Sequence, residues 1–121
     1  MQQDKAASLI GLAMKAGKAA GGEFSAEKAI RQGLAQLVIL SEDASVNTSK
    51  KFSNMAVWNQ VPICRYLSKT DLGWCMGKGE RSCVVITDRG LADKIVSEIE
   101  KKKNKEETGK VVENIGKHQN S

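Results

Sequence analysis

Histidine, proline and aromatic side chains are scarce in this sequence, and the pattern of scarcity removes whole classes of chemistry. The one histidine, His118, stands in the polar C-terminal segment. That position excludes histidine-based triads and most zinc sites within a folded domain. Cys64, Cys75 and Cys83 are odd in number, lack C-x-x-C spacing and each lie in an apolar stretch. The pattern is that of reduced core thiols rather than a disulfide framework or a metal site. No apolar run approaches the roughly 18 residues of a membrane span. The opening Met1–Gly11 carries Asp4 and Lys5 where a secretory peptide would need a clean basic end and a longer apolar core. The expectation is a cytoplasmic protein with no cofactor, no metal and no membrane partner.

At 121 residues the chain is long enough for one domain with a core that needs no covalent staples. Its net charge of +5 is unevenly spread. Residues 1–100 carry 13 Lys and Arg against 11 Asp and Glu, and residues 101–121 carry six Lys against three Glu. The body is only mildly basic, so recognition of a polyanion must rest on a local patch, with the C-terminal segment adding sequence-independent attraction.

Hydrophobic periodicity alternates along the chain. A helix over Gln3–Lys15 places Leu9, Ile10, Ala13 and Met14 on one stripe and stops at Gly17. A short strand near Lys18–Gly21 follows. A second helix from Phe24 or Ser25 to Gln32 turns Ala26, Ala29 and Ile30 to the core and ends at Gly33 as a left-handed cap. Leu37–Leu40 is a short, branched, fully apolar strand. Asn47–Asn59 reads as a helix with Phe52, Met55 and Ala56 inward and Trp58 as a fourth candidate. Pro62 opens a strand over Ile63–Leu67, Ser68 with Asp71 resembles a capping box for a helix over Lys69–Met76, and Cys83–Thr87 is the fourth strand. The last helix, about Gly90–Lys103, aligns Leu91, Ile95 and Ile99. Beyond it the apolar stripe ends, so the expected division is a domain over residues 1–103 and a basic, disordered tail over 104–121. Five helices alternating with four strands imply an α/β fold, a three-layer α/β/α sandwich around a four-stranded central sheet.

The stretch with most chemical content is Gly21-Gly22-Glu23-Phe24-Ser25-Ala26-Glu27-Lys28. A glycine turn delivers a helix N-terminus, a natural anion site, with Lys28 and Arg31 read as close to that start. Lys28 and Arg31 fit equally an ordinary solvated face. Phe24 fits either a base-stacking platform or a hydrophobic staple on the helix entry. Glu42 and Asp43 form an adjacent carboxylate pair, but neighbours leaving a strand point in different directions, which favours a loop-shaping role over acid/base catalysis. Gly77-Lys78-Gly79 lacks the Walker spacing and precedes a strand rather than a helix, so nucleotide hydrolysis is not indicated.

Taken together, Gly22 to Lys28, Leu37-Val38-Ile39-Leu40-Ser41-Glu42-Asp43-Ala44-Ser45, Ser68-Lys69-Thr70-Asp71-Leu72-Gly73, Gly77-Lys78-Gly79-Glu80-Arg81 and Val84-Val85-Ile86-Thr87-Asp88 follow a familiar order and spacing. Over about residues 5–100 the chain resembles the superfamily of kink-turn RNA-binding ribosomal proteins, which includes archaeal large-subunit ribosomal protein seven-Ae. Within it the chain is most similar to the small stand-alone bacterial members of the YlxQ-like kind. The resemblance implies a monomeric, non-enzymatic protein that binds a kinked or bulged structured RNA, ribosomal or riboswitch-like, and not DNA. A kink opens base edges that a regular A-form groove hides.

By the same resemblance, Gly22, Glu23, Phe24, Ser25 and Lys28 occupy the RNA-reading helix start; Arg31 and Glu42 are further candidate RNA contacts. Lys69 matches a basic residue that approaches the phosphate backbone. The loop Lys78, Gly79, Glu80, Arg81 and Ser82 covers a flipped-out nucleotide. The archaeal and eukaryotic pattern Gly-x-Asn-Glu-x-x-Lys has Phe24 and Ser25 here at its Asn and Glu positions. Two readings of another kind compete with RNA binding: a protein-interaction adaptor anchored by Val57, Trp58 or Trp74, and an accessory domain of an RNA-modifying complex.

Overall fold

The computed structural model describes residues 4–110, with side chains as far as Asn104. Its first helix, α1 (Lys5–Lys15), begins where the Asp4 carboxylate accepts the Ala7 N–H at 2.9 Å, and buries Ala6, Ala7, Ile10 and Ala13. Strand β1 (Ala19–Gly21) leads through Gly22 into α2 (Glu23–Arg31), which buries the expected Ala26, Ala29 and Ile30. Strand β2 (Leu37–Leu40) is buried throughout, and Ser45 caps α3 (Val46–Trp58) by accepting the Thr48 N–H. Strand β3 (Ile63–Arg65) precedes α4 (Lys69–Cys75), where Ser68 accepts the Asp71 N–H as its sequence position suggested. Strand β4 (Cys83–Ile86) and the long α5 (Arg89–Lys110) complete the order.

The four strands lie in the order β1-β4-β2-β3. Strands β2 and β3 are parallel, while β4 runs antiparallel to both β1 and β2. Side chains alternate across the sheet, so each strand feeds two cores. Leu37, Ile39, Val84 and Ile86 join Ile10, Leu72, Ile95 and Ile99 beneath α1, α4 and α5. Val38, Leu40, Cys83 and Val85 join Ala26, Ile30, Phe52 and Ala56 beneath α2 and α3. Burial on both faces explains why β2 and β4 are continuously apolar rather than alternating. Each fully buried Ile, Leu or Phe in these layers stabilises the fold by about 1.5–3 kcal/mol. This is the expected three-layer α/β/α sandwich.

Its direction of travel decides which loops meet. At one rim of the sheet, β1, β2 and β3 end and β4 begins, because Gly21 pairs with Val84 and Leu40 pairs with both Cys83 and Arg65. The antiparallel β4 therefore brings the segment before it to the same rim as the segments that follow β1, β2 and β3.

Several boundaries differ from the sequence reading for definite reasons. Strand β3 stops short of Leu67, which adopts φ +69° and cannot continue an extended ladder. Trp58, the proposed fourth core residue of α3, is 86% exposed at the helix end. Helix α5 continues past Lys103 to Lys110, since Lys- and Glu-rich turns extend an anchored helix readily without an apolar stripe. The positive charge assigned to the tail resides in Lys101, Lys102 and Lys103 on α5; residues 104–121 carry three Lys and three Glu. The remaining expectation for the tail, and His118 with it, lies outside the described residues.

Candidate nucleic-acid interface

Helix α2 starts without a side-chain cap. Asp4, Ser45, Ser68 and Asp88 each accept an N–H at the start of α1, α3, α4 and α5 respectively. At α2 the N-cap is Gly22, with φ +94° and ψ 157°. A side-chain-bearing residue adopts that conformation only with strain, so glycine is required for the turn out of β1. The turn is held to the sheet by the Gly22 N–H, which donates to the Cys83 carbonyl at 2.9 Å. A bare helix start presents its first N–H groups and the positive end of its dipole to whatever lies outside.

Facing this start is the end of the α4–β4 loop. Gly21, Gly22, Glu23, Phe24 and Ser25 line one side of an open groove of about 330 Å³, with Glu80, Arg81 and Ser82 on the other. The Arg81 side chain runs beside the glycine pair, with its Nε 3.6 Å from where a Cβ on Gly22 would sit. Its Nη1 donates to the Glu80 carbonyl at 2.9 Å. Phe24 is 82% exposed, which rules out a hydrophobic staple; its ring packs on nothing that would hold it there. The ring face is open to solvent at the mouth of the groove.

Lys28 and Arg31 stand in the last turn of α2 rather than near its start, because the helix is only nine residues long. Lys28 nevertheless shares a helix face with Phe24 and Ser25 through i,i+4 and i,i+3 spacing, and helix side chains lean toward the N-terminus. Arg31 is engaged elsewhere. Its Nη2 lies 2.7 Å from Glu27, whose other carboxylate oxygen is 2.7 Å from Lys51 on α3. Hydrogen bonds from Lys51 and then Arg31 hold the Glu27 carboxyl below its ordinary value. Thr48 donates to Glu23 at 3.0 Å, so α2 is tied to α3 at its start as well as through Glu27 and Lys51.

The remaining predicted residues are spread along the same rim. The Glu42 N–H donates to the Leu67 carbonyl at 2.7 Å, leaving its side chain exposed. Asp43 accepts the Lys69 N–H at 2.8 Å, and that bond holds its carboxyl below the usual carboxylate range. Asp43 is thereby a structural link between the β2–α3 and β3–α4 turns. The Lys69 carbonyl accepts the Arg81 N–H at 3.1 Å, which joins α4 to the groove wall. Lys78 and Gly79 are exposed at the loop tip, where the Lys78 N–H donates to the Gly73 carbonyl at 2.9 Å.

Gly73 was not among the predicted site residues, yet it seats this loop. A Cβ there would fall 2.0 Å from the Gly79 carbonyl oxygen. The signal was present in the sequence: a glycine inside a helix costs about 1 kcal/mol relative to alanine, and close backbone approach is a usual reason for it. The cysteines supply no chemistry to the rim. Burial pushes the Cys64 and Cys75 thiols up to about 11 and Cys83 to about 12, so all three are protonated at neutral pH.

The fold is thus an α/β/α domain whose open helix start and pre-strand loop face each other across a groove at the rim of its sheet. The chain belongs to the Ribosomal protein L7Ae/L30e/S12e/Gadd45 family, which it matches over residues 4–96. It is 43% identical over 89 residues to the RNA-binding protein YlxQ of Bacillus subtilis (strain 168), covering 74% of this chain and 89% of that protein. The RNA-binding protein YlxQ of Enterococcus faecium is 38% identical over 98 residues, or 81% of this chain and 94% of the relative. Among solved structures, a protein of unknown function from Bacillus halodurans C superposes with a TM-score of 0.77 at 35% identity, across 81% of this chain and 99% of that one.

Proposed function

We propose that this protein binds structured RNA, and specifically a kink-turn or similarly bulged element, through the groove between the start of α2 and the loop Lys78–Ser82. The observation that carries the reading is the uncapped α2 start facing Glu80–Ser82, with Phe24 standing free at its mouth. Backbone N–H groups and the helix dipole attract phosphate or polar base edges. The exposed phenylalanine offers a face for an unstacked base. Lys28, Lys69 and Lys78 supply cations around the groove for phosphate contacts, which position the ligand without reading its sequence. The curated relatives named as RNA-binding support the same reading.

On this reading the protein acts as a non-catalytic cytoplasmic monomer, residues 1–103 forming the binding unit, with a ribosomal or riboswitch-like RNA as its ligand. The decisive test titrates the full chain against a kink-turn RNA and against a twin whose two G·A pairs are replaced by Watson-Crick pairs. The expected outcome is clear preference for the first; equal affinity would remove kink-turn recognition while leaving general RNA binding. The adaptor reading has a specific basis in the exposed Val57, Trp58 and Trp74. Salt dependence separates the two: phosphate contacts weaken steeply as salt rises, whereas an aromatic hot spot responds little.

A further inference from the structure

A second pocket opens at the opposite end of the same sheet rim. It has a volume of about 390 Å³ and lies between the first turns of α3 and the end of β3, where Ser49, Lys50, Ser53, Asn54 and Arg65 meet over the methyl groups of Val46. Its wall contains two cations and no carboxylate, and among the described residues neither Lys50 nor Arg65 forms an ion pair. Arg65 is oriented by one bond, from Nη1 to the Ser41 carbonyl at 3.2 Å. A guanidinium carries five N–H donors, so most of its capacity is left for a ligand. Ser49 lines the same pocket. It is only 8% exposed, and its Oγ is buried with no hydrogen-bond partner among the described residues. Buried hydroxyls are normally satisfied, and a serine is a poor choice for a helix face unless something accepts from it or donates to it.

We propose that this pocket is a second phosphate site, which takes a backbone phosphodiester of the same RNA that occupies the α2 groove. The inference rests on the RNA-binding reading above. Leu40 pairs with Arg65 on one side and Cys83 on the other, which places the pocket on the rim that also carries Gly21 and the α2 groove. Across three inter-strand gaps the outer strands β1 and β3 lie roughly 14 Å apart, from a spacing of about 4.8 Å each. That span is comparable with several base steps of a nucleic-acid helix. A stem entering the groove would thus carry a phosphate to the pocket, where hydroxyl, amide and guanidinium donors match its oxygens and Lys50 supplies charge.

The test compares the full chain with Lys50→Gln/Arg65→Gln and with Lys50→Glu alone, using the kink-turn RNA and its G·A-disrupted twin. The double variant should bind the kink-turn RNA about tenfold more weakly at low salt. Its plot of log affinity against log salt should be shallower by about 0.8, the value for one phosphate no longer neutralised. Preference for the kink-turn over the twin should be unchanged, because the pocket contacts backbone and not bases. Lys50→Glu should shift affinity in the same direction with an unaltered melting temperature, since its side chain is exposed; this keeps the test independent of the Arg65–Ser41 bond. Wild-type affinity and salt slope in both variants would overturn the proposal. If the wild-type protein fails to distinguish the two RNAs, kink-turn recognition falls while the slope change still reports the pocket. Saturation of the Ser49 and Lys50 amide shifts by micromolar inorganic phosphate, without RNA, would reassign the pocket to a free phosphate and overturn the RNA assignment.

Discussion

Two helix starts in this molecule are finished in opposite ways. At α1 every valence is used: Asp4 accepts the Ala7 N–H at 2.9 Å, the Tyr66 hydroxyl at 2.6 Å and the Lys102 ammonium at 3.2 Å, so one carboxylate ties α1, the β3–α4 turn and α5 together. At α2 the position of the cap is taken by Gly22, and the first turn opens onto a groove. The first arrangement serves the fold and leaves nothing for a ligand. The second sacrifices a cap, which is commonly worth about 1 kcal/mol, and keeps donors available. The site proposed for RNA therefore coincides with the helix start where local stabilisation has been left out.

The comparison can be broken most severely at the loop that walls the open start. Gly73→Ala should destabilise the protein by about 3 kcal/mol, because the new Cβ must displace the backbone at Gly79 and not a flexible side chain. Chemical denaturation measures this directly. Should the variant remain fully stable, the α4–β4 loop is less firmly seated than its packing implies, and the groove has no fixed second wall.

The closed start predicts a smaller effect with a pH signature. Asp4→Asn should cost about 2 kcal/mol at neutral pH, the scale of hydrogen bonds to a charged group, and should leave RNA affinity untouched. Burial of Asp4 opposes its ionisation, but the bonds from Tyr66, Ala7 and Lys102 outweigh it and hold the carboxyl below 3.8. A carboxyl lowered by folding binds fewer protons than in the unfolded chain, so its contribution is complete above about pH 4 and is lost as pH falls through the lowered folded value. Denaturation of the wild type between pH 6 and about pH 2 should therefore show an acid limb that Asp4→Asn flattens. An identical limb in both proteins would show that the network at α1 is not what acid disrupts.

At the open start the effects should fall on binding instead. Lys28→Ala should weaken kink-turn RNA binding by about 1.5 kcal/mol, within the range of a directed contact, and leave the melting curve unchanged because the side chain is exposed. Undiminished affinity in the folded variant would remove Lys28 from the interface.

How much of this was legible in the sequence depends on whether the signal was local. Buried strands such as Leu37–Leu40 and Cys83–Ile86, the Ser68 cap and the helix stripes are set by neighbours in sequence, and they were readable. The antiparallel placement of β4 was not, since strand direction is decided by pairing between distant segments. The Arg31–Glu27 pair is an i,i+4 contact within α2, but the link from Glu27 to Lys51 exists only once α2 and α3 pack together. The role of Asp43 was likewise hidden, because its partner is a backbone N–H 26 residues away. Trp58 was ambiguous on a helical wheel and was resolved only by the end of α3.

The smallest expected effect concerns what the open start reads. By the resemblance to the pattern Gly-x-Asn-Glu-x-x-Lys, Phe24 and Ser25 stand at its Asn and Glu positions. In the helix they fall at the second and third residues of α2, after Glu23. Substitution there removes no core packing, since Phe24 is 82% exposed. A glutamate in the first turn also complements the helix dipole, worth about 0.3–1 kcal/mol, so Phe24→Asn/Ser25→Glu should fold at least as well as the parent. If these positions face base edges, the double variant should tighten binding to a standard kink-turn RNA by about 1 kcal/mol, while the G·A-disrupted twin gains nothing. Polar side chains help only where matching donors and acceptors exist. If Phe24 instead stacks on a base, both RNAs should lose affinity together, because stacking is indifferent to sequence. Calorimetric titration of the two proteins against the two RNAs distinguishes these outcomes, and joint weakening would assign the open start of α2 to stacking and shape rather than to hydrogen-bonded readout.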